Sequence, residues 1–283
     1  MLEVFRRLEK EGWDVYRLPV DSQGQLELKA LETAMQLPVA LVSIMAVNNE
    51  IGSRQPLAEA VNLVKTLQPQ ALVHIDGVQA PGKIDLDAAR LGADFVSLSA
   101  HKIHGPKGVG ALYVARGDLL SPLWEGGGQE RGLRSGTENV LGIVGFGQAA
   151  SLVRENYSSA LQQVTALRHR FLIGLQDLPC EIISPPQGVP HIVAVSFPGF
   201  RGEILLQALS GYGVYVSTGA ACSGKKGNLS HVVEALGLDK ETALGLLRFS
   251  FSAFNTVAEI DYALAKTRQV LDELAFVRGR RGR

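Results

Sequence analysis

The chain has 283 residues, and its 28 basic side chains equal its 28 acidic ones, so its charge favours neither nucleic acid nor a membrane surface as a partner. Two cysteines are too few for a disulfide scaffold and are typical of a reducing compartment, which predicts a cytoplasmic protein. No apolar run is long enough to cross a bilayer.

The first half of the chain alternates helical patterns with short apolar runs. It opens on an amphipathic helical pattern with Leu2, Phe5 and Leu8 along one face. Continuous apolar strands separated by helices predict a mostly parallel sheet that is buried on both faces. The predicted strands are 40–45, 71–75, 95–98 and 110–114, and the predicted helices are 57–67 and 86–91.

A glycine-rich charged loop at 126–137 leads into a long helical pattern from about 140 to 178, which bridges to a second domain. The predicted fold class is α/β: a large domain at 1–145 on the mostly parallel sheet, a smaller α+β domain at 146–275, and a solvated basic tail at 276–283. The second domain has predicted strands near 192–197, 214–217 and 247–251 and predicted helices near 203–209, 231–236 and 257–274.

Polar side chains follow three successive predicted strands. Because the carboxyl ends of parallel strands meet at one edge of a sheet, and ligands bind beyond that edge, these side chains predict a single site. They are Asn48 and Asn49 after the first strand, Asp76 and Gln79 after the second, and Ser99, His101 and Lys102 after the third.

Asp76 and Lys102 suit pyridoxal phosphate (PLP). A carboxylate at a buried strand end needs a charged partner, and the protonated ring nitrogen of PLP is one. A lysine in a partly desolvated place forms a Schiff base with an aldehyde readily, while Ser99 and His101 could donate to the phosphate. Taken singly, each has an ordinary alternative: Asp76 as a loop or capping aspartate, and Lys102 as a lysine that reaches solvent at the rim.

Cys222 lies among small, flexible residues and is followed by Lys225 and Lys226. An exposed thiol near cations favours the thiolate, so this loop suits a nucleophile that moves, although a structural role stays open on the residues alone. Cys180, at the start of a predicted strand, is expected to be structural.

Together these residues resemble the cysteine desulfurases of the class-V aminotransferase group, which are fold-type I PLP enzymes. The match covers the chain up to its basic tail, with several motifs in the family's order and spacing. The motifs are VNNEIG at 47–52, HIDGVQ at 74–79, SAHKIHGPKG at 99–108, GGGQERGLRSGTEN at 126–139 and GAACS at 219–223.

The resemblance implies a role for each matching residue. Lys102 would bind the PLP aldehyde covalently, and Cys222 would attack the sulfur of L-cysteine, leaving a persulfide and releasing L-alanine. Arg248 would bind the substrate carboxylate, together with Asn49. The other cofactor contacts would be Asp76 at the ring nitrogen, Asn49 and Gln79 at the phenolic oxygen, Ser99 and His101 at the phosphate, and Thr137 at the phosphate of the other subunit's cofactor.

The resemblance also implies a homodimer with its sites at the interface, and a sulfur acceptor such as an iron–sulfur scaffold protein or a tRNA-thiolation partner. The family's N-terminal part, which carries a phosphate-binding loop and a histidine stacked on PLP, is not found in this sequence. We therefore expect a truncated desulfurase whose phosphate site is incomplete. His74, inside a predicted strand, is expected to be a satisfied structural residue.

Two alternatives remain at this point. One is a related class-V PLP enzyme, such as a selenocysteine lyase or an aminotransferase, and Cys222 in its loop favours the desulfurase over it. The other is a catalytically inactive fragment that acts as a dimerisation or sulfur-acceptor-binding module.

Overall fold

The computed structural model describes residues 1–218 and 229–281, with side chains described up to residue 275. In the first half, apolar β-branched runs form strands and the segments between them form helices. The short helix α4 is capped by the Asp87 carboxylate, which accepts from Arg90 N, and it ends at Gly92 in the left-handed region. The elements are α1 (Leu2–Lys10), α2 (Leu28–Ala34), β1 (Leu41–Met45), α3 (Leu57–Leu67), β2 (Leu72–Asp76), α4 (Ala88–Leu91), β3 (Phe95–Ser99) and β4 (Gly110–Val114).

These four strands form one sheet in the order β1-β2-β3-β4. Strands β1, β2 and β3 run parallel, and β4 is antiparallel to β3. Their register aligns Met45 with Asp76 and Asp76 with Ser97. The predicted mostly parallel sheet is therefore confirmed, with its carboxyl ends at one edge.

The prediction that both faces of this sheet are buried is wrong for the described residues. Val42, Ile44 and Val73 belong to a core with side chains from α2 and α3, so those helices cover one face. On the other face of the sheet, Leu41 and Met45 of β1 are exposed. The sequence pattern did not distinguish the two cases, because a strand covered on one face and a strand buried on both have similar apolar content.

The second half begins with a long helix, whose first turn is capped by Asn139 accepting from Gly142 N. Its strands form an antiparallel sheet in the order β5-β6-β8-β7. The elements are α5 (Val140–Gly174), β5 (Glu181–Ile182), β6 (Ile192–Ser196), α6 (Gly202–Gly211), β7 (Ser217–Thr218), α7 (His231–Ala235), α8 (Lys240–Leu244), β8 (Leu246–Ser250) and α9 (Val257–Arg281).

A separate core fills the second half, with Phe171 of α5, Leu205 of α6 and Leu247 of β8 among its buried members. A smaller cluster joins the halves, since Ile51 of the first half packs with Ala194 and Val233 of the second. The domain boundaries at 145 and 275 stay a prediction. Over the described residues, no helix combines the length and the hydropathy of a membrane span.

Most predicted elements are confirmed to within a few residues, but some are shifted or were missed. The strand predicted near 214–217 is β7 at Ser217–Thr218, because Val214 packs into the second core and bonds back to the end of α6. Helix α9 continues to Arg281, into the predicted tail. The strand expected to start at Cys180 is the two-residue β5, whereas helices α2 and α8 were not predicted.

Candidate active site

The turn that follows β1 is fixed by the side chain of Asn48. Its Oδ1 accepts from Glu50 N at 2.8 Å and from Ile51 N at 3.0 Å, and Gly52 closes the turn with a φ of +76°. A side chain at Gly52 would be strained there and would crowd Ile192. The turn thereby places Asn49, half-buried, beyond the carboxyl end of β1.

Asp76 ends β2 at the same edge of the sheet. It is half-buried, and its Oδ1 accepts from Val78 N at 3.1 Å. Among the described residues no cationic side chain lies within ion-pair distance of it. The carboxylate therefore has the capacity to bind a cationic ligand atom.

His74 lies two residues before Asp76 on the same face of the sheet. Its Nδ1 is 2.8 Å from Ser43 Oγ and its Nε2 is 2.7 Å from Ser97 Oγ. Burial lowers the pKa of His74, although the nearby Asp76 carboxylate acts in the opposite direction. The expectation of a satisfied structural histidine is confirmed.

Gln79 follows Asp76 and has a lysine partner that the sequence reasoning missed. Lys83 Nζ donates to Gln79 Oε1 at 3.3 Å. Burial lowers the pKa of Lys83 to about 8, and the positive charge of Lys102 acts in the same direction. Gln79, Lys83 and Lys102 therefore share one neighbourhood.

Lys102 lies in a 3-10 helix, Ala100–Ile103, that follows β3 directly. Residues three apart eclipse in such a helix, so the buried Ala100 and Ile103 lie on one side and His101 and Lys102 face outward. The expectation that Lys102 sits in a desolvated place is wrong here, since both His101 and Lys102 are exposed.

A hydroxyl–imidazole pair lies next to this lysine. Ser99 Oγ is 2.7 Å from His101 Nδ1. Gly105 continues the turn with its N–H donating to Ala100 O, and a Cβ there would lie 3.0 Å from that oxygen. The glycine thus allows the close turn that follows the 3-10 helix bearing Lys102.

Arg248 on β8 reaches across from the second sheet to the turn after β1. Its Nη1 donates to Asn49 O at 2.7 Å and its Nη2 to Ser217 Oγ at 3.1 Å. Its Nε is buried without a partner among the described residues. The predicted substrate residue thus lies beside Asn49, although it is 199 positions away in the chain.

Two predicted residues are not brought to this edge by any described contact. Thr137 is exposed in the glycine-rich loop before α5. Cys222 lies outside the described residues, which resume at Leu229 after β7. Cys180 is half-buried before β5, and burial raises the pKa of its thiol, as expected of a structural cysteine.

The donors at the sheet edge fit PLP. A carboxylate without a cation, two amides, a hydroxyl–imidazole pair and an amine match a ring nitrogen, a phenolic oxygen, a phosphate and an aldehyde. No cluster of potential metal ligands occurs in the described parts of the chain.

Comparison with known proteins gives consistent matches. The family described as aminotransferase class-V matches residues 2–263. The cysteine desulfurase IscS of Clostridium botulinum is 40% identical over 278 residues, which cover 96% of this chain and 70% of that protein. IscS of Vibrio cholerae is 42% identical, with 97% of this chain and 68% of that protein covered.

Two solved structures extend the similarity to the fold. A NifS-like protein is 43% identical with a TM-score of 0.88, covering 96% of this chain and 71% of that chain. A NifS-like protein from Rickettsia africae is 30% identical with a TM-score of 0.85, covering 96% and 73%.

Proposed function

Because the chain belongs to the class-V aminotransferases and, within them, to the cysteine desulfurases, we propose that it converts L-cysteine to L-alanine with PLP and keeps the sulfur as a persulfide on Cys222. The observation that carries the proposal is the hydrogen bond from Arg248 to Asn49 O in the turn after β1. A guanidinium has five N–H donors, and among the described residues Asn49 O and Ser217 Oγ accept from two of them. The remainder suit a carboxylate held beside the candidate cofactor edge.

The residues of the first sheet would hold the cofactor. PLP, when bound, supplies an electron sink for the bonds around the α-carbon of an amino acid. Asp76 would keep a proton on the ring nitrogen, and its lack of a cationic partner among the described residues supports this role. Lys102 Nζ would bind the aldehyde carbon and move a proton at the substrate α-carbon.

The neighbouring polar groups would orient the ring and the phosphate. Asn49 and Gln79 would bind the phenolic oxygen, with Asn49 also beside the substrate. Ser99 and His101 would bind the phosphate, and their 2.7 Å contact supports a joint role.

Cys222 would remove the sulfur from the substrate. Its thiolate would attack the substrate sulfur, forming an S–S bond while the C–S bond breaks, and the carbon fragment would take a proton and leave as L-alanine. Ser217 precedes Cys222 in the chain, and the contact of Ser217 with Arg248 supports this role for Cys222.

A homodimer is part of the proposal. Large apolar side chains are exposed on both sides of the glycine-rich loop that carries Thr137, and exposed apolar groups of this size commonly mark interfaces. They are Leu123, Trp124, Val140, Leu141 and Val144. A second copy covering them would bring Thr137 toward the partner's cofactor.

The persulfide needs an acceptor. We propose an iron–sulfur scaffold protein or a thiolation partner in the cytoplasm, on the resemblance of the segment around Cys222 to the branch of the family with a longer cysteine loop. The two-cysteine composition supports a reducing compartment.

Absorbance of PLP-saturated protein tests the proposal. The expected result is a visible band from cofactor bound to Lys102, with the band lost in Lys102→Ala and kept in Lys10→Met, which changes an exposed lysine of α1. A Lys102→Ala protein with the same band as the parent protein would overturn the assignment.

A further inference from the structure

Glu50 is a buried carboxylate that the proposed chemistry does not use. It is 6% exposed and follows Asn49, whose carbonyl oxygen binds Arg248. Asn48 fixes its backbone by accepting from Glu50 N. A carboxylate is costly to bury unless other groups satisfy it, so the neighbours of Glu50 indicate what it does.

Its hydrogen-bond partner comes from the second half of the chain. Ser230 Oγ donates to Glu50 Oε2 at 2.6 Å, and Ser230 is itself buried. The same Ser230 oxygen accepts from Val232 N at 3.1 Å and caps α7. Glu50 therefore ties the turn after β1 to the start of α7.

Two charged groups act on Glu50 through space. Burial raises the pKa of Glu50, while the Ser230 hydrogen bond and the charges of His231 and Arg248 lower it. Arg248 has no carboxylate within ion-pair distance among the described residues. Glu50 is thus a buried carboxylate one residue away from Asn49, whose carbonyl oxygen binds the Arg248 guanidinium.

Other contacts hold the same turn against the second sheet. Ser184 Oγ donates to Ile51 O at 2.6 Å, and Val189 N donates to Gly52 O at 2.9 Å. The turn that presents Asn49 O is therefore positioned by the second half of the chain.

We propose that Glu50 is a positioning residue for Arg248: its carboxylate, held by Ser230, keeps the turn after β1 and the guanidinium in the arrangement that receives a substrate carboxylate. This inference rests on the proposed function, in which Arg248 binds that carboxylate. Arg248 also donates to Ser217, which precedes Cys222 in the chain, and Glu50 accepts from Ser230, which follows it.

The test compares two ligands that differ by one carboxylate. L-Alanine and ethylamine both react through an amine, but only L-alanine presents a carboxylate to Arg248. Their binding to the PLP-loaded protein is followed by absorbance in the parent protein and in Glu50→Gln. Glu59→Gln, which changes an exposed residue of α3, is the matched control.

The expected result is weaker L-alanine binding in Glu50→Gln by about fivefold or more, a typical coupling for residues of one network, with ethylamine changed less than about twofold. A merely structural defect would weaken both ligands alike, and that result would overturn the inference, as would no change in either. If Glu50→Gln does not fold, Ser230→Ala carries the same expectation and the same contrary outcomes.

Arg248→Met separates this inference from the proposed function. Loss of the preference for L-alanine in Arg248→Met, with the preference unchanged in Glu50→Gln, overturns only the role of Glu50. A parent protein without that preference, or an Arg248→Met protein that retains it, overturns the role of Arg248 and the inference with it.

Discussion

The two sheets of this chain place their chemistry in different ways. In the first sheet, three parallel strands end at one edge, and each end carries polar side chains. In the second sheet, antiparallel strands send their ends to both edges, β6 is buried at all five positions, and one mid-strand side chain, Arg248, reaches the candidate site. Parallel strands bring several side chains together because their carboxyl ends lie at one edge, whereas the antiparallel sheet supports a single long side chain from mid-strand.

Asp76→Asn should have a large effect on activity, because Asp76 lies at the sheet edge where the polar side chains meet. Without the carboxylate, the ring nitrogen of the cofactor loses its partner, and we expect the rate of L-alanine formation to fall about 100-fold or more. The half-exposed position predicts less than about 1 kcal/mol of change in unfolding free energy. Asp14→Asn, at an exposed residue, is the control. Equal rates of L-alanine formation in the two variants would show that Asp76 does not act on the cofactor.

Phe171→Ala should have the largest effect on stability, because Phe171 belongs to the supporting core. Its ring is fully buried and lies 4.7 Å from Phe249 and 5.2 Å from Phe251, centroid to centroid. We expect a loss of about 3–5 kcal/mol, measured by denaturant unfolding. Ile173→Ala, on the exposed side of the same helix, should lose far less. Similar losses in both variants would contradict this packing.

His191, at the junction of the two sheets, should make stability depend on pH. Burial lowers its pKa to about 4 from 6.5, and the charge of Lys83 acts in the same direction. The folded state therefore prefers neutral His191, so its contribution is complete above pH 6.5, declines as the pH falls below that value and is gone below about 4.

The size of that loss is at most about 3 kcal/mol. His191→Asn cannot gain the proton, so its thermal midpoint should fall less than that of the parent protein between pH 7 and pH 5. His169→Asn, at an exposed histidine, should follow the parent protein. Identical pH profiles for all three proteins would show that His191 is not a buried neutral group.

Much of the first sheet could be predicted from the sequence because its strands are short apolar runs with polar residues at their ends. Asp76 and Ser99 end strands that the structure confirms, Gln79 and Lys102 follow those strands, and parallel pairing explains why they share an edge. The exposure of Lys102 was not predictable in that way, because it depends on the 3-10 turn that buries Ala100 and Ile103.

The contacts between the two halves lay beyond sequence reasoning. Glu50 looks like an ordinary loop carboxylate until Ser230, 180 positions away, is placed against it. Lys83 likewise gives no local sign that burial and the charge of Lys102 act on it. Such burial is set by tertiary packing and not by local pattern. By contrast α8, which was missed, had a local signal, since Asp239 caps its first turn.

Release of L-alanine from L-cysteine by the PLP-saturated protein tests the central claim most directly, with the sulfur left on the protein trapped by alkylation. The parent protein should form L-alanine and carry a persulfide on Cys222. Cys222→Ser should bind PLP equally but release L-alanine about 100-fold more slowly, since it lacks the nucleophile. A PLP-loaded parent protein that forms no L-alanine, or a Cys222→Ser protein that forms it at the parent rate, would contradict the account.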